Sequence, residues 1–187
     1  MKHPLVLASS SPRRQYLMRE AGFTFTVEKP DVEESFPEEL PVEQVARYLA
    51  NKKAEYFRKE LHNQIIVTAD TVVILDGEIM NKPADRKEAI TMLSRLSGKT
   101  HLVMTGVCIL SAEREESFDD TTEVTFRNLK QEEIEFYVDQ YKPYDKAGAY
   151  GAQDFIGMIA IEEIKGSYFN VMGLPIHKVY EHLKSWT

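Results

Sequence analysis

The feature that most constrains the fold is an apolar run that passes directly into a helical segment near the start of the chain. Residues Leu5–Ala8 are all apolar, which is typical of a buried strand. Three serines follow, and Ser11 and Pro12 suit the N-cap and the first position of a helix predicted over 12–21. Gly22 is expected to end that helix as a C′ residue. The chain therefore begins with a strand, a serine-rich turn and a helix.

Two arginines, Arg13 and Arg14, occupy the first turn of this predicted helix. Positive charge there opposes the helix dipole, whose N-terminal end is itself positive. The arrangement becomes favourable when an anion lies at the turn, because backbone N–H groups, serine hydroxyls and two guanidinium groups then converge on it. One interpretation is a phosphate site, and the other is a helix whose arginines extend into solvent.

Composition and charge limit the classes of function. The 187 residues are 43% hydrophobic and 28% charged, as in an ordinary globular protein, and their net charge is −7. Such a chain has no overall attraction for nucleic acid, so a phosphate ligand must be held by local positive charge. Because the sequence shows neither a membrane-spanning run nor a signal peptide, we expect a cytoplasmic protein. The one cysteine, Cys108, is expected to be a buried thiol.

A helix predicted over 41–61 carries a lysine on its apolar face. The apolar stripe comprises Val42, Val45, Ala46, Leu49, Tyr56 and Phe57. Steps of three and four residues from Leu49 reach Lys53, whereas Lys52 points elsewhere. A lysine on a buried face needs an anionic partner or must extend its ammonium group to the edge of the protein. The spacing leaves contact with a ligand and such an extension equally open.

Asp70 lies in the middle of 65–75, the most β-prone run of the chain. Because an unpaired buried carboxylate is costly, Asp70 is expected to be paired, bound to a metal or exposed at a break in the strand. A turn between two strands is the alternative. An acidic loop over 31–39 precedes this run, and it is either a solvated loop or a source of carboxylates for a divalent metal.

Strands alternate with helices along the rest of the chain. The predicted strands are 23–27, 100–110, 117–127 and a hairpin of 155–164 with 168–172, and the predicted helices lie between Asp85 and Gly98, over 131–140 and from Leu174 to Lys184. His101 is expected to be structural. These elements predict an α/β fold in which a mixed twisted sheet is flanked by helices.

Several short motifs, in order along nearly the whole chain, match a known family. They are Ala8-Ser-Ser-Ser-Pro-Arg-Arg14, Lys53-Ala54, Ala69-Asp-Thr71, Lys82-Pro83, Leu96-Ser-Gly98 with His101 and Thr105-Gly106, Asp145-Lys-Ala-Gly-Ala-Tyr-Gly151 with Gln153, and Gly173-Leu-Pro175. In this combination the chain resembles the Maf family. It departs from the usual pattern at Asn81 and Asp154, where the family usually has glycine.

The resemblance implies a single domain over 1–187, with two lobes, a cleft and a fold similar to that of the inosine triphosphate pyrophosphatases. It implies a cytoplasmic hydrolase that cleaves the α–β phosphoanhydride of nucleoside triphosphates with Mg²⁺ or Mn²⁺. The Ser-Pro-Arg-Arg form resembles the branch that converts dTTP and UTP to the monophosphate and pyrophosphate. The alternative is a nucleotide-binding regulator of cell division or septum formation without significant catalysis. The expected partner is a nucleotide, not nucleic acid or a membrane, and a homodimer is left open.

The resemblance also implies a role for particular residues. The phosphates would be bound by Ser9, Arg13, Arg14, Lys53 and Lys82. Asp70 would activate the attacking water directly or through the metal, with Glu33 or Glu34 as the second carboxylate. Thr71 and Gln153 would bind the base, because a glutamine amide matches O4 and N3–H of uracil or thymine. Asp154 adds a carboxylate that leaves the fine base preference open.

Overall fold

The computed structural model describes residues 3–186, and within this range seven strands form one mixed sheet. The strands are β1 (Leu5–Ala8), β2 (Thr26–Glu28), β3 (Ile65–Leu75), β4 (Glu78–Met80), β5 (Thr100–Leu110), β6 (Glu115–Phe126) and β7 (Ile161–Lys165). Their order is β2-β1-β3-β5-β6-β7, with β4 paired to β3. β1 runs parallel to β2 and β3, whereas β4 and β7 run antiparallel to β3 and β6. The predicted α/β fold with a mixed sheet is confirmed.

Helices connect most of these strands. They are α1 (Pro12–Glu20), α2 (Val42–Phe57), α3 (Arg86–Leu96), α4 (Gln131–Tyr141), α5 (Phe155–Ala160), α6 (Tyr168–Val171) and α7 (Ile176–Lys184), with short 3₁₀ turns at Arg58–Glu60 and Ala147–Ala149. In the described part of the chain, none of them is both long enough and apolar enough to cross a membrane.

Both ends of α1 are capped by the residues that the sequence predicts. The Ser11 side chain accepts a hydrogen bond from the Arg14 backbone N–H at 3.5 Å, and Pro12 is the first residue of α1. Gly22 follows the helix with a φ of 83°, as a C′ glycine should. These contacts confirm the predicted start of α1, which ends at Glu20, one residue before the predicted end, and the arginine pair does lie in its first turn.

The described chain divides into two compact units, and the first contains the residues up to Thr71, Thr105–Asp120 and those from Gly173 onward. In the core of this unit, α2 packs against the strands. The buried cluster that they form comprises Val6, Ala8, Ala50, Ala54, Phe57, Ile66, Cys108 and Leu110. Helix and strand approach each other closely at Gly106, where a Cβ atom would lie 2.3 Å from the backbone nitrogen of Arg47. Cys108 is buried, as predicted, and burial raises the pKa of its thiol to about 11.

The second unit contains Val72–Met104 and Thr121–Met172. In it α3 packs on α4, and α4 packs on α5. Its largest fully buried side chains are Leu75, Leu93, Leu96, Phe126, Tyr137 and Ile156. The buried residues of the two helices are Ala89, Met92, Leu93 and Leu96 on α3 and Ile134, Tyr137 and Val138 on α4.

The predicted hairpin over 155–172 is wrong, because two of its segments are helical. Phe155–Ala160 forms α5, and Gly157 lets it lie against the preceding turn, since a Cβ there would be 2.1 Å from the Ala152 carbonyl oxygen. Tyr168–Val171 forms α6, whose first turn is capped by Ser167 through the Asn170 N–H at 3.3 Å. Close packing and a local cap override the β-propensity of these residues.

Two smaller predictions also need correction. The stripe assigned to α2 includes Tyr56, but that side chain is 49% exposed, because the buried face continues from Lys53 to Phe57 instead. The alternating run 23–27 was expected to be a strand, yet β2 covers just Thr26–Glu28, and all three of its residues are exposed. An alternating pattern stabilises a strand through the packing of its buried face, and these side chains are exposed and have no such packing.

Candidate active site

Lys53 on α2 and Asp70 on β3 form a buried ion pair. Each residue is 8% exposed, and Lys53 Nζ donates a hydrogen bond to Asp70 Oδ1. β3 is continuous from Ile65 to Leu75, so Asp70 does not lie in a turn between two strands. The same ammonium group donates to Glu34 Oε1 at 2.8 Å. The lysine that the spacing places on the inward face therefore brings two carboxylates together.

The acidic loop contributes one glutamate rather than the other. Both glutamates are exposed, and Glu34 is the one whose Oε1 accepts a hydrogen bond from Lys53. The neighbouring Lys52 points away from the pair and donates to the Ser35 carbonyl oxygen at 2.8 Å and to its hydroxyl at 3.0 Å. The loop is thus not simply solvated, and the structure favours Glu34 as the second carboxylate.

Glu34 and Asp70 bring together two carboxylates, which are the kind of oxygen ligand that divalent cations such as Mg²⁺ and Mn²⁺ prefer. Among residues 3–186 no group of three or more His, Cys, Asp or Glu side chains is placed to hold a metal. Mg²⁺, however, is often bound by one or two carboxylates, and phosphate oxygens and water complete its coordination. Two carboxylates that already converge on a cationic ammonium group meet that requirement.

Arg14 fixes the strand on both sides of Asp70. Its Nη1 donates to the Ala69 carbonyl oxygen at 2.9 Å and its Nη2 to Thr71 Oγ1 at 3.0 Å. Its Nε donates to the Gly173 carbonyl oxygen at 2.7 Å. Burial lowers the pKa of Arg14, and the charge of Asp70 opposes that shift. Because three N–H groups are engaged within the protein, Arg14 holds the site in shape, and its contact with phosphate stays a prediction.

The turn before α1 supplies further polar groups. Ser9 is 7% exposed, and its hydroxyl accepts the backbone N–H of Ser11 at 3.2 Å. Arg13 is half-buried in the first helical turn. The Thr71 hydroxyl, expected to bind the base, lies 2.9 Å from that of Thr105 and accepts from Arg14. The first unit therefore holds Ser9, Arg13, Arg14, Glu34, Lys53, Asp70 and Thr71.

Lys82 and Gln153 belong to the second unit. Lys82 is exposed in the segment between β4 and α3. Gln153 lies in a turn closed by the Asp154 N–H, which donates to the Gly151 carbonyl oxygen at 3.0 Å. Gln153 Oε1 is buried and has no hydrogen-bond partner among residues 3–186. A buried acceptor without a donor is costly, so this amide is suited to a ligand that donates.

Sequence reasoning missed Tyr137, whose hydroxyl donates to Asp154 Oδ2 at 2.9 Å. The amphipathic pattern of α4 places Tyr137 on the inward face but says nothing about its hydroxyl. His101 behaves as predicted: it is 2% exposed, and its Nε2 lies 2.7 Å from the Tyr150 hydroxyl. Burial lowers the pKa of His101 to about 4, so the imidazole is neutral near pH 7.

Comparison with known proteins places these residues in a family. The family model described as "Maf-like protein" matches residues 4–186. The chain belongs to the Maf family. It is 48% identical over 185 residues to a Phocaeicola vulgatus protein named dTTP/UTP pyrophosphatase, covering 98% of this chain and 96% of that protein. A Bacteroides thetaiotaomicron protein of the same name is 46% identical with the same coverage. The resemblance seen in the motifs is thereby confirmed.

Solved structures show that the Maf chain shares its fold with Ham1 proteins. The Staphylococcus aureus Ham1 protein superposes with a TM-score of 0.57 at 17% identity, covering 98% of this chain and all 100% of that one. A HAM1 protein from Coxiella burnetii gives 0.54 at 14% identity and covers 98% of this chain and 99% of its own. At this identity the likeness establishes the fold alone.

Proposed function

We propose that this Maf protein is a nucleoside triphosphate pyrophosphatase that hydrolyses dTTP and UTP to the nucleoside monophosphate and pyrophosphate. The observation that carries the proposal is the buried Lys53–Asp70 pair with Glu34 beside it. Relatives 46% to 48% identical over 98% of the chain are named dTTP/UTP pyrophosphatases, which supports the choice of substrate.

The triphosphate is bound by cations and by a helix N-terminus. It carries about four negative charges, which local positive groups must balance in a protein of net charge −7. Arg13 and the positive N-terminal end of the α1 dipole suit one phosphate, as the Ser9 hydroxyl does. Lys53 is a point charge that suits a phosphate oxygen, and a phosphate contact by Lys82 stays a prediction. Arg14 supports this arrangement by fixing β3.

Asp70 takes the proton from the attacking water. Lys53 Nζ holds the Asp70 carboxylate in place through a hydrogen bond to Oδ1, and a positioned carboxylate is a group that accepts a proton in general base catalysis. A divalent cation, Mg²⁺ or Mn²⁺, would be held by Glu34 and Asp70 and would neutralise charge that develops on the phosphates. Glu34 is chosen over Glu33 because its carboxylate contacts Lys53 next to Asp70.

Gln153 reads the base. Its buried Oε1 accepts N3–H of uracil or thymine, and its amide nitrogen donates to O4. Cytosine presents the opposite pattern at both positions, so it leaves both amide groups unpaired. Thr71 is a secondary contact, because its hydroxyl is already engaged by Arg14 and Thr105.

The test is a panel of dTTP, UTP, CTP, ATP and GTP, each assayed for pyrophosphate release with Mg²⁺, with Mn²⁺ and with EDTA. We expect release from dTTP and UTP that EDTA abolishes. If the protein binds dTTP in calorimetry but releases no pyrophosphate under any of these conditions, it is a nucleotide-binding regulator and the proposed function is wrong. The cytoplasmic location and a homodimer stay predictions.

A further inference from the structure

The hydroxyl of Tyr137 connects both ends of the turn that carries Gln153. It accepts the backbone N–H of Gly151 at 3.3 Å and donates to Asp154 Oδ2 at 2.9 Å. The turn itself is closed by the Asp154 N–H at the Gly151 carbonyl oxygen. A single buried phenol on α4 therefore fixes the residues on either side of Ala152 and Gln153.

The carboxylate of Asp154 packs directly on this turn. A Cβ atom at Gly151 would lie 2.6 Å from Asp154 Oδ2, so the carboxylate occupies the space that a side chain at that position would need. Lys146 Nζ lies 3.8 Å from the same oxygen. Burial raises the pKa of Tyr137, and the charge of Asp154 adds to the shift, so the phenol stays protonated and donates. All these groups belong to the second unit.

We propose that Tyr137 and Asp154 are positioning residues that set the preference for uracil and thymine over cytosine by fixing the turn that carries Gln153. The inference rests on the proposed function, in which Gln153 reads the base. With the turn fixed, the unpartnered Oε1 stays in one place and accepts N3–H without losing side-chain and backbone freedom when the nucleotide binds.

The same contact removes a competing acceptor. A carboxylate that is free to rotate next to Gln153 would accept a hydrogen bond from the amino group of cytosine. The Tyr137 hydroxyl instead holds Asp154 through Oδ2, so the carboxylate lies against Gly151 and is not free to rotate.

The experiment compares kcat/KM for UTP and CTP in two pairs of variants, together with the thermal midpoint of each. In Y137F, which loses only the hydroxyl, and in D154A, we expect the UTP/CTP ratio to fall roughly fivefold, the size of one lost hydrogen bond. D154N keeps an acceptor for the phenol and should retain most of the ratio. Y141F is the matched control, because Tyr141 lies on the same helix, is 44% exposed and keeps its ring contacts.

A ratio unchanged in both Y137F and D154A, or equal losses for UTP and CTP, would show that the pair is merely structural and would overturn the inference. Hydrolysis of UTP and CTP by the wild type distinguishes failure of this inference from failure of the proposed function. If the wild type hydrolyses neither nucleotide, the proposed function fails, and the UTP/CTP ratio of dissociation constants from calorimetry decides the role of Tyr137. If the wild type hydrolyses UTP, the ratios in the variants decide it directly.

Discussion

Lys53 and Asp70 neutralise each other in the interior of the first unit, where neither charge would be stable alone. Lys53 reaches the pair from the buried face of α2, and Asp70 from the middle of β3. Removal of one member of such a pair leaves the other buried and unpaired, which is more damaging than the loss of a surface ion pair. The pair therefore links the stability of the helix–strand interface to the chemistry of the site.

Asp70→Asn tests the proposed base. The amide keeps the size of the side chain and a hydrogen-bond acceptor for Lys53, so the protein should fold. We expect kcat for dTTP to fall by roughly 10²-fold or more. Pyrophosphate release measures this, with Asp139→Asn as an exposed control. Turnover near the wild-type rate in folded Asp70→Asn protein would remove Asp70 from the chemistry.

Lys53→Ala and Lys52→Ala form a matched pair on neighbouring positions of α2. Lys53→Ala should raise KM or lower kcat for dTTP and lower the thermal midpoint, because Asp70 and Glu34 lose their shared partner. Lys52→Ala removes an exposed hydrogen bond to Ser35 and should change neither kinetic constant by more than about twofold. Equal effects of the two substitutions would contradict the assignment.

Glu34→Gln and Glu33→Gln decide which glutamate binds the cation. Because Glu34 is the one in contact with Lys53, its amide variant should need a roughly tenfold higher Mn²⁺ concentration for half-maximal activity. Glu33→Gln should follow the wild-type curve. The measurement is a Mn²⁺ titration of dTTP hydrolysis, and a shift confined to Glu33→Gln would reverse the assignment.

Gln153→Ala tests recognition of the base. The wild type should prefer dTTP and UTP to CTP, and loss of the amide should bring the three values of kcat/KM closer together. Each unpaired polar group costs about 1–3 kcal/mol, so the selectivity at stake is roughly tenfold or more. Two results would be incompatible with the assignment: a wild type that accepts CTP as well as dTTP, and a Gln153→Ala variant of unchanged selectivity.

His101 makes stability depend on pH. Its pKa is about 4 when folded and 6.5 ordinarily, so between these values the unfolded chain binds more protons. The stability that the neutral His101 gives the folded protein is fully present above pH 6.5 and is lost as the pH falls towards 4. The folding equilibrium constant falls by at most about tenfold for each pH unit in this window. Urea unfolding of His101→Gln should show a flatter profile in this window. Exposed His177→Gln is the control, and a profile as steep as the wild type's in His101→Gln would exclude His101 as the cause.

The inward positions of the site could be predicted from spacing, because a helix repeats every 3.6 residues whatever its neighbours are. That periodicity places Lys53 inward, and the β-prone run around Asp70 likewise predicts a strand. The choice between Glu33 and Glu34 could not be made, because an irregular loop has no period to decide which side chain turns inward. Their contacts depend on where the loop lies, which is a tertiary property.

The errors have a related cause. The segments 155–160 and 168–171 are short and rich in β-prone residues, so their helical state depends on contacts such as those of Gly157 and on the Ser167 cap. The role of the Tyr137 hydroxyl was equally hidden, since the sequence indicates which ring is buried but not where its single polar atom finds partners. The hydrophobic pattern of the sequence therefore predicts neither the direction of a side chain within a loop nor the hydrogen bonds of a polar atom within the core.

Gly106 has a consequence for how this protein can change. With a Cβ at 106 only 2.3 Å from the Arg47 nitrogen, the backbone of α2 has no room to accept a side chain on β5. Any replacement must push the helix outward, and Lys53, about one and two-thirds turns beyond Arg47 on α2, moves with it. A mutation that touches no ligand group would then separate ammonium from carboxylate. The distance between the Lys53 and Asp70 charges thus depends on the lack of a side chain at Gly106. A screen for inactive variants should therefore identify position 106 as well as Lys53 and Asp70.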